Sequence, residues 1–338
     1  MTVRLFALLL FTSIICGQDS ARRIGAIDFF GYQGLDVNRV RSSLPIHEGD
    51  PFDASDPKAF ETIKRIRETL KASTGKLPTD VNPVCCDSQG NWMIFIGLGG
   101  NSIRSTKYHD TPKGNVNLPS RIVNLYKEVM DLNSLAISQG RSMEDRSKGY
   151  ALSSDEKLRA KQLEVRAFAL GHQHLLSRVI HLSQDSEQRI VAAYAMGYAR
   201  QSSSQIAALE WATRDADGTV RNNAIRALGV LAESGSKIAN QIPAEPFIGM
   251  LNSGVWTDRN KGSYVVDQLS KSRSPKLLSL LRNQALDALI EMARWRSPGH
   301  AASARTILGR IAGIEEKRLQ DMIAAGEVEQ IISSLKKN

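Results

Sequence analysis

The chain has 338 residues, with 44 Lys and Arg against 35 Asp and Glu, a formal net charge of +9 and 42% hydrophobic residues. With 6% aromatic and 23% charged residues, the composition excludes a collagen-like fibre, a disulfide-dense miniprotein and a disordered tail, and it favours a soluble, helix-rich chain with room for two domains.

The opening segment, residues 1–17, reads as a signal peptide. Arg4 precedes the apolar run Leu5 to Ile15, which is too short for a bilayer core of about 20 helical residues, and Cys16 and Gly17 follow it at once. Cleavage after Gly17 would leave a periplasmic or secreted protein with no integral membrane span. Cys16 raises a lipoprotein reading, against which Ile15 stands where such signals want a small residue.

Next, Ile24, Ala26 and, after one shift, Phe29 predict a short strand closed by Gly31 and Gly34. Asp36 is a plausible cap for a helix carrying Val37, Val40 and Leu44, which Pro45 ends. A second helix over 57–73 repeats Phe60, Ile63, Ile66 and Leu70 at three to four residues. Val81 to Cys86 and Trp92 to Ile96 then flank Asp87-Ser88-Gln89-Gly90-Asn91 as a β-hairpin, and Gly97 to Gly100 reads as a solvent turn that lacks the glycine and lysine spacing of a phosphate loop. Neighbouring cysteines on a strand point to opposite faces, so no bridge is expected between Cys85 and Cys86.

The order strand, helix, helix, strand, strand over residues 22–100 resembles the polypeptide-transport-associated (POTRA) domain. The match lies in the strand ending at Phe30-Gly31, the helix Val37 to Leu44, the loop Glu48-Gly49-Asp50-Pro51-Phe52 and the closing hairpin. The resemblance implies a small three-stranded sheet whose second strand lies at the margin and accepts an extended peptide by strand addition. Val81, Val84, Cys85 and Cys86 become candidate partner-binding residues, while Asn82, Pro83 and Asp87 read equally as devices that blunt the edge.

Residues 101–117 are polar, with Pro112 and Gly114, and read as a linker to an α-helical region over 118–338. A helix begins near Pro119, a polar break spans Gly140 to Gly149, and from Asp155 the pattern is almost wholly helical. Placing Gln188 to Ala199 over the segment from Val220 at an offset of 32 matches Arg189 with Arg221, Ala192 with Ala224, Ala195 with Ala227 and Gly197 with Gly229. A weaker copy aligns Arg259 with Arg221 at an offset of 38, the insertion falling at Pro243 and Pro246. Such periods mean stacked helix pairs. The phrase from Asp215 to Arg221, followed by Ala224 and Ala227-Leu228-Gly229, resembles the HEAT repeat of the short type also found in phycobilin lyases. Helices over 277–295, 301–312 and 323–335 complete the reading, which implies three to five helix pairs.

Chemistry is sparse. His172, His174 and His181 share one predicted helix without metal-ligand spacing, and His47, His109 and His300 sit in predicted loops or turns. No serine elbow occurs, and Glu315-Glu316 opens a helix, where carboxylates complement the dipole. Basic residues are spread among acids, so nucleic acid is not an expected partner. No catalytic residue, metal or cofactor is expected. The reading is a multidomain protein, a small α+β (β-α-α-β-β, POTRA-like) domain followed by an all-α HEAT-like solenoid, acting as an exported, non-enzymatic protein–protein interaction scaffold of the cell envelope. The alternative is a small-molecule-binding or lyase-type enzyme on HEAT-like repeats, which titratable groups converging in a deep pocket would favour.

Overall fold

The computed structural model describes residues 22–104, 106–141 and 143–336; the segment read as a signal peptide lies outside them. The first part comprises β1 (Ile24–Phe30), α1 (Val37–Ser43), α2 (Lys58–Thr74), β2 (Asp80–Val84) and β3 (Trp92–Gly97). The strands lie in the order β1-β3-β2, with β1 parallel and β2 antiparallel to β3. A register shift between Ile24 and Ala26 turns Ile24 to the same side as Ile27 and Phe29, where they pack with Ile94 and Ile96 beneath Val40, Ile66 and Leu70 of the two helices. That bulge is the physical cause of the shift in the hydrophobic alternation of β1.

The other face of the sheet is not solvated. Ala26, Phe30, Met93 and Phe95 belong to the hydrophobic core of the helical part. Helices α3 (Ser120–Ser138), α4 (Glu156–Leu182), α5 (Ser186–Met196), α6 (Ser203–Ala212), α7 (Gly218–Glu233), α8 (Ser236–Ala239), α9 (Glu245–Leu251), α10 (Trp256–Ser270), α11 (Pro275–Ala293), α12 (Pro298–Ile311), α13 (Glu316–Ala324) and α14 (Val328–Ser334) form an α-solenoid. Helices α5, α7, α10 and α12 stack in one inner row, each paired with the helix before it in a second row. Small residues permit the stacking: a Cβ on Gly229 of α7 would fall 2.3 Å from the Tyr264 ring of α10. The short helix α8 sits where the repeat offset lengthens from 32 to 38.

Phe95 stacks on Trp256 of α10 at 4.8 Å and meets Trp295, just past α11, at 5.0 Å. The Trp295 indole donates to the Phe29 carbonyl at 3.0 Å. Residues 101–117, expected as a linker, form a strap that visits the turns of the solenoid in reverse order. Arg104 N donates to Asn252 O, His109 N to Arg214 O and Gly114 N to Leu182 O. The chain thereby returns from the late repeats, where the sheet docks, to α3 at the start of the stack.

Several expectations need correction. Cys85 and Cys86 are joined as a disulfide across a cis peptide; β2 ends at Val84, so the alternation that argues against a bridge does not extend to them. Gly97 to Gly100 is not a solvent turn, because Leu98 is buried and Gly100 N donates to Gly31 O at 2.7 Å. The helix expected over 323–335 is shorter, α14 over Val328–Ser334, because Gly326 at φ +73° parts it from α13, which ends at Ala324. The break at 140–149 holds β4 (Glu144–Asp145), which pairs with β5 (Leu152–Ser153) just beyond it as a small hairpin.

His300 is not in a loop but in the first turn of α12, edge-on to Phe95 at 5.5 Å and to Trp256 at 5.2 Å. Burial there, with the Lys261 charge nearby, pushes the imidazole down to about 4. The unfolded chain takes this proton near pH 6.5 and the folded chain resists it, so the stability His300 allows at neutral pH is lost as pH falls from 6.5 through about 4. Urea titrations at pH 7 and pH 4 should show His300→Phe losing less stability over that interval than the parent chain. An equal loss in both would remove His300 from the acid response.

Candidate binding site on the inner face of the solenoid

The equivalent arginines of the repeats build the frame. Arg189 donates through Nε and Nη2 to Asp215 at 2.7 and 2.9 Å and through Nη1 to Ser183 O at 2.9 Å. Arg221 repeats the pattern with Asp215 O at 2.9 Å and the Asp258 carboxylate at 3.1 Å. Arg259 binds Ser253 O at 2.7 Å and Glu291 at 2.9 Å. Each guanidinium thus ties the turn before its own helix to an acid of the next repeat, all of it buried. At the last rung Glu291 also accepts from the backbone N–H groups of Gly31, Tyr32 and Gln33 and from the Ser102 hydroxyl, at 2.6 to 3.0 Å. The ladder therefore ends in the loop after β1 and locks the sheet onto the solenoid.

On this frame a cavity of about 360 Å³ opens on the inner row. Val129 and Met130 of α3, Tyr194 of α5, Asn223 and Arg226 of α7 and Lys261 of α10 line it, and Glu144, Arg146 and Tyr150 from the 144–153 hairpin close one side. Glu144 is bound by Arg226 through Nη2 and by Arg146 at 3.0 Å. Arg146 lies 3.6 Å from Glu233, whose carboxylate takes the Tyr264 hydroxyl. Tyr194 and Tyr198 share a hydrogen bond at 3.0 Å, and Tyr198 donates to Ala151 O at 2.9 Å. Among the described residues, Lys261 makes no hydrogen bond or ion pair. Desolvation first, then the positive field of Arg226, push its amine down to about 8, with Glu144 opposing the shift and Arg146 adding to it. Burial raises Tyr194 and Tyr198, so both remain neutral phenols at physiological pH.

No family model matches the chain, and no curated protein is similar to it. Among solved structures, an engineered protein is similar at 18% identity and a TM-score of 0.39, over 54% of this chain and 88% of its own. Two designed armadillo repeat proteins, one described as made for modular peptide recognition, align at 13% identity and a TM-score of 0.37, over 57% of this chain and 90% of theirs.

The residues singled out in the sequence lie elsewhere. Val81 is buried in the core under α1 and α2, Val84 packs against the solenoid core, Cys85 is exposed and Cys86 is half-buried, so none of the four lines the cavity. His172, His174 and His181 all belong to α4. His181 stacks on Trp211 at 5.1 Å, and His109 of the strap stacks on the same indole at 3.9 Å. Among the described residues no three His, Cys, Asp or Glu side chains are grouped to hold a metal ion. Glu315 caps α13 through the N–H groups of Lys317 and Arg318, whereas Glu316 is held by Arg310 and Arg273 and falls to about 2. No described helix is long and apolar enough to cross a membrane.

Sequence reasoning misses Arg146, Arg226, Lys261 and the tyrosines. A signal was present: five residues beyond each ladder arginine stand Tyr194, Arg226 and Tyr264, where an aliphatic residue would serve a plain core. The repeat alignment thus marks a polar column on the inner row.

Proposed function

We propose that the chain is a non-enzymatic interaction scaffold that receives a protein partner on the inner face of its solenoid. The observation that carries this reading is the cavity itself, which draws polar and charged side chains from α5, α7 and α10 onto one surface while the ladder beneath it is fully buried. Helical stacks of this kind present long surfaces suited to extended partners. Its titratable groups mostly neutralise one another: Glu144 rests between two arginines, Tyr264 on Glu233 and Tyr198 on a carbonyl. Fixed, satisfied groups of this sort serve recognition better than proton transfer. A signal peptide over residues 1–17 would place this scaffold in the cell envelope, and N-terminal sequencing of the native protein tests that placement. The β-α-α-β-β order supports a POTRA-like first module, in which the backbone edge of β2 at Val81 and Val84, at the margin of the sheet, and the Cys85-Cys86 segment just beyond it add a second partner surface.

One observation favours an enzyme built on the same repeats, namely an unpaired amine near pH 8 at Lys261, the kind of group that serves as base or nucleophile. Photo-crosslinking of the full chain separates the readings. A benzoylphenylalanine at Ile137, exposed at the cavity wall, should trap one protein from the native host in amounts comparable to the chain, and the same probe at Phe60 on α2, 70% exposed, should not. A small molecule that co-purifies with the chain, with no protein trapped at Ile137, reverses the ranking.

A further inference from the structure

The cavity carries more information than its position. Three cations, Arg146, Arg226 and Lys261, face two carboxylates, Glu144 and Glu233, so the described groups leave one positive charge without a counterion. The two arginines are committed: Glu144 lies between them, and Arg146 also reaches Glu233. The unmatched charge is the Lys261 ammonium. A half-buried ammonium with no hydrogen-bonded counterion carries a desolvation cost, and nothing in the folding of α10 requires one here, since the equivalent positions in the repeats are Val191 and Asn223. The uncharged wall is mixed: Val129, Met130 and Ile137 of α3 form an apolar side, and the amides of Asn133, Gln162, Asn222 and Asn223 stand among the rings of Tyr150 and Tyr194.

We infer that the inner-face cavity binds a carboxylate borne on a short apolar group, with the Lys261 ammonium as its direct partner and Asn223 and Tyr194 as neighbouring polar contacts. The argument rests on the inner face being a binding surface, as proposed above, and specifies its ligand. A single excess charge selects a monoanion over a phosphate dianion. The cavity volume, about 360 Å³, is at the small end of ligand sites and admits one or two residues of a chain terminus, or a small aliphatic or aromatic acid, but not a helix. Two sources share this chemistry, the terminal carboxylate of a partner polypeptide and a free carboxylic acid.

Calorimetry on the full chain distinguishes them with three probes: an acetylated tetrapeptide ending in leucine as the free acid, the same peptide as the amide, and 4-phenylbutyrate. Binding of the acid peptide roughly 10-fold or more above the amide identifies a chain terminus; binding of phenylbutyrate alone identifies a free acid; both outcomes support the site. Lys261→Met should weaken whichever acid binds by roughly 10-fold or more. It should also raise the melting temperature of the unliganded chain at pH 7, which shows that the variant folds. The Lys261 side-chain carbon resonance should titrate near 8 in the free protein and move upward with saturating acid. Arg226 from α7, Glu144 and Arg146 from the hairpin and His300 from α12 all face Lys261, and His300 stays neutral over that range. Failure of both acids to bind, equal binding of acid and amide, or undiminished binding by Lys261→Met overturns the inference. Photo-crosslinking at Ile137 is read separately, so a trapped partner without carboxylate binding leaves the scaffold reading intact, and carboxylate binding without a trapped partner overturns that reading alone.

Discussion

Glu291→Gln is expected to destabilise the folded chain by about 3–5 kcal/mol, read as a lower urea midpoint with an unchanged slope. Glu291 is 3% exposed and is held by Arg259, by three successive backbone N–H groups of residues 31–33 and by Ser102. Every one of these partners is a donor. An amide keeps the shape but turns its NH₂ toward donors and leaves the Arg259 guanidinium buried without a charge partner. Helix α11 itself tolerates glutamine as well as glutamate, so the loss reports the junction between sheet and solenoid. Trp256 and Trp295, which contact Phe95 across that junction, should change their emission in the same transition. A shift below about 1 kcal/mol would show the carboxylate to be no more than a surface-grade ion pair.

The second large effect is expected at the middle of the ladder. Arg221→Met should cost about 3–5 kcal/mol, while Arg178→Met on the exposed side of α4 stays within about 0.5 kcal/mol. Arg221 is 4% exposed and joins three parts of the architecture at once. It satisfies the carbonyls of Asp215 and Ala216 before α7, pairs with Asp258 of α10 and lies 3.9 Å from the Tyr108 ring of the strap. Methionine fills much of the volume but leaves Asp258 with hydroxyl donors only, from Tyr108 and Ser253. Limited proteolysis should cut the strap of the variant near Tyr108 while the parent resists. Equal midpoints for the two arginine variants would mean that packing alone holds the repeats together.

How much of this was legible in the residues depends on whether the partners are near in sequence or similar in pattern. Arg189, Arg221 and Arg259 could be aligned because the repeat places them at the same point of each inner helix, and they occupy the same structural position. The β-α-α-β-β order was readable from local periodicity. The docking of the sheet was not, because Phe95 and Trp256 or Phe29 and Trp295 carry no mark that each is the other's neighbour. The strap reads as a linker because part of its anchoring is main-chain bonds to carbonyls of the solenoid, and its side-chain contacts, Ser102 to Glu291 and Tyr108 to Asp258, reach partners 150 or more positions away that no local pattern reveals. The cysteine pair shows a rule applied outside its domain, since strand alternation governs residues to Val84 and no further. The cavity combined a polar break near Glu144 with the variable column of the repeats, and neither alone points to a site.

The reversed path of the strap has a consequence for how the molecule is made. A chain emerges from ribosome or translocation pore N-terminus first, so the apolar face of the sheet, with Phe30 and Phe95, is complete long before Trp256, Glu291 and Trp295 exist to cover it. Bonds such as Gly31 to Glu291, separated by 260 positions, place this junction among the late, slow events of folding. During that interval the unfinished polypeptide carries a sticky surface at its leading end and no seat for it. Ribosome-stalled chains ending before residue 256 should bind holdase chaperones at the sheet, and chains released past residue 311 should not; assembly is thus governed by the arrival of the last repeats.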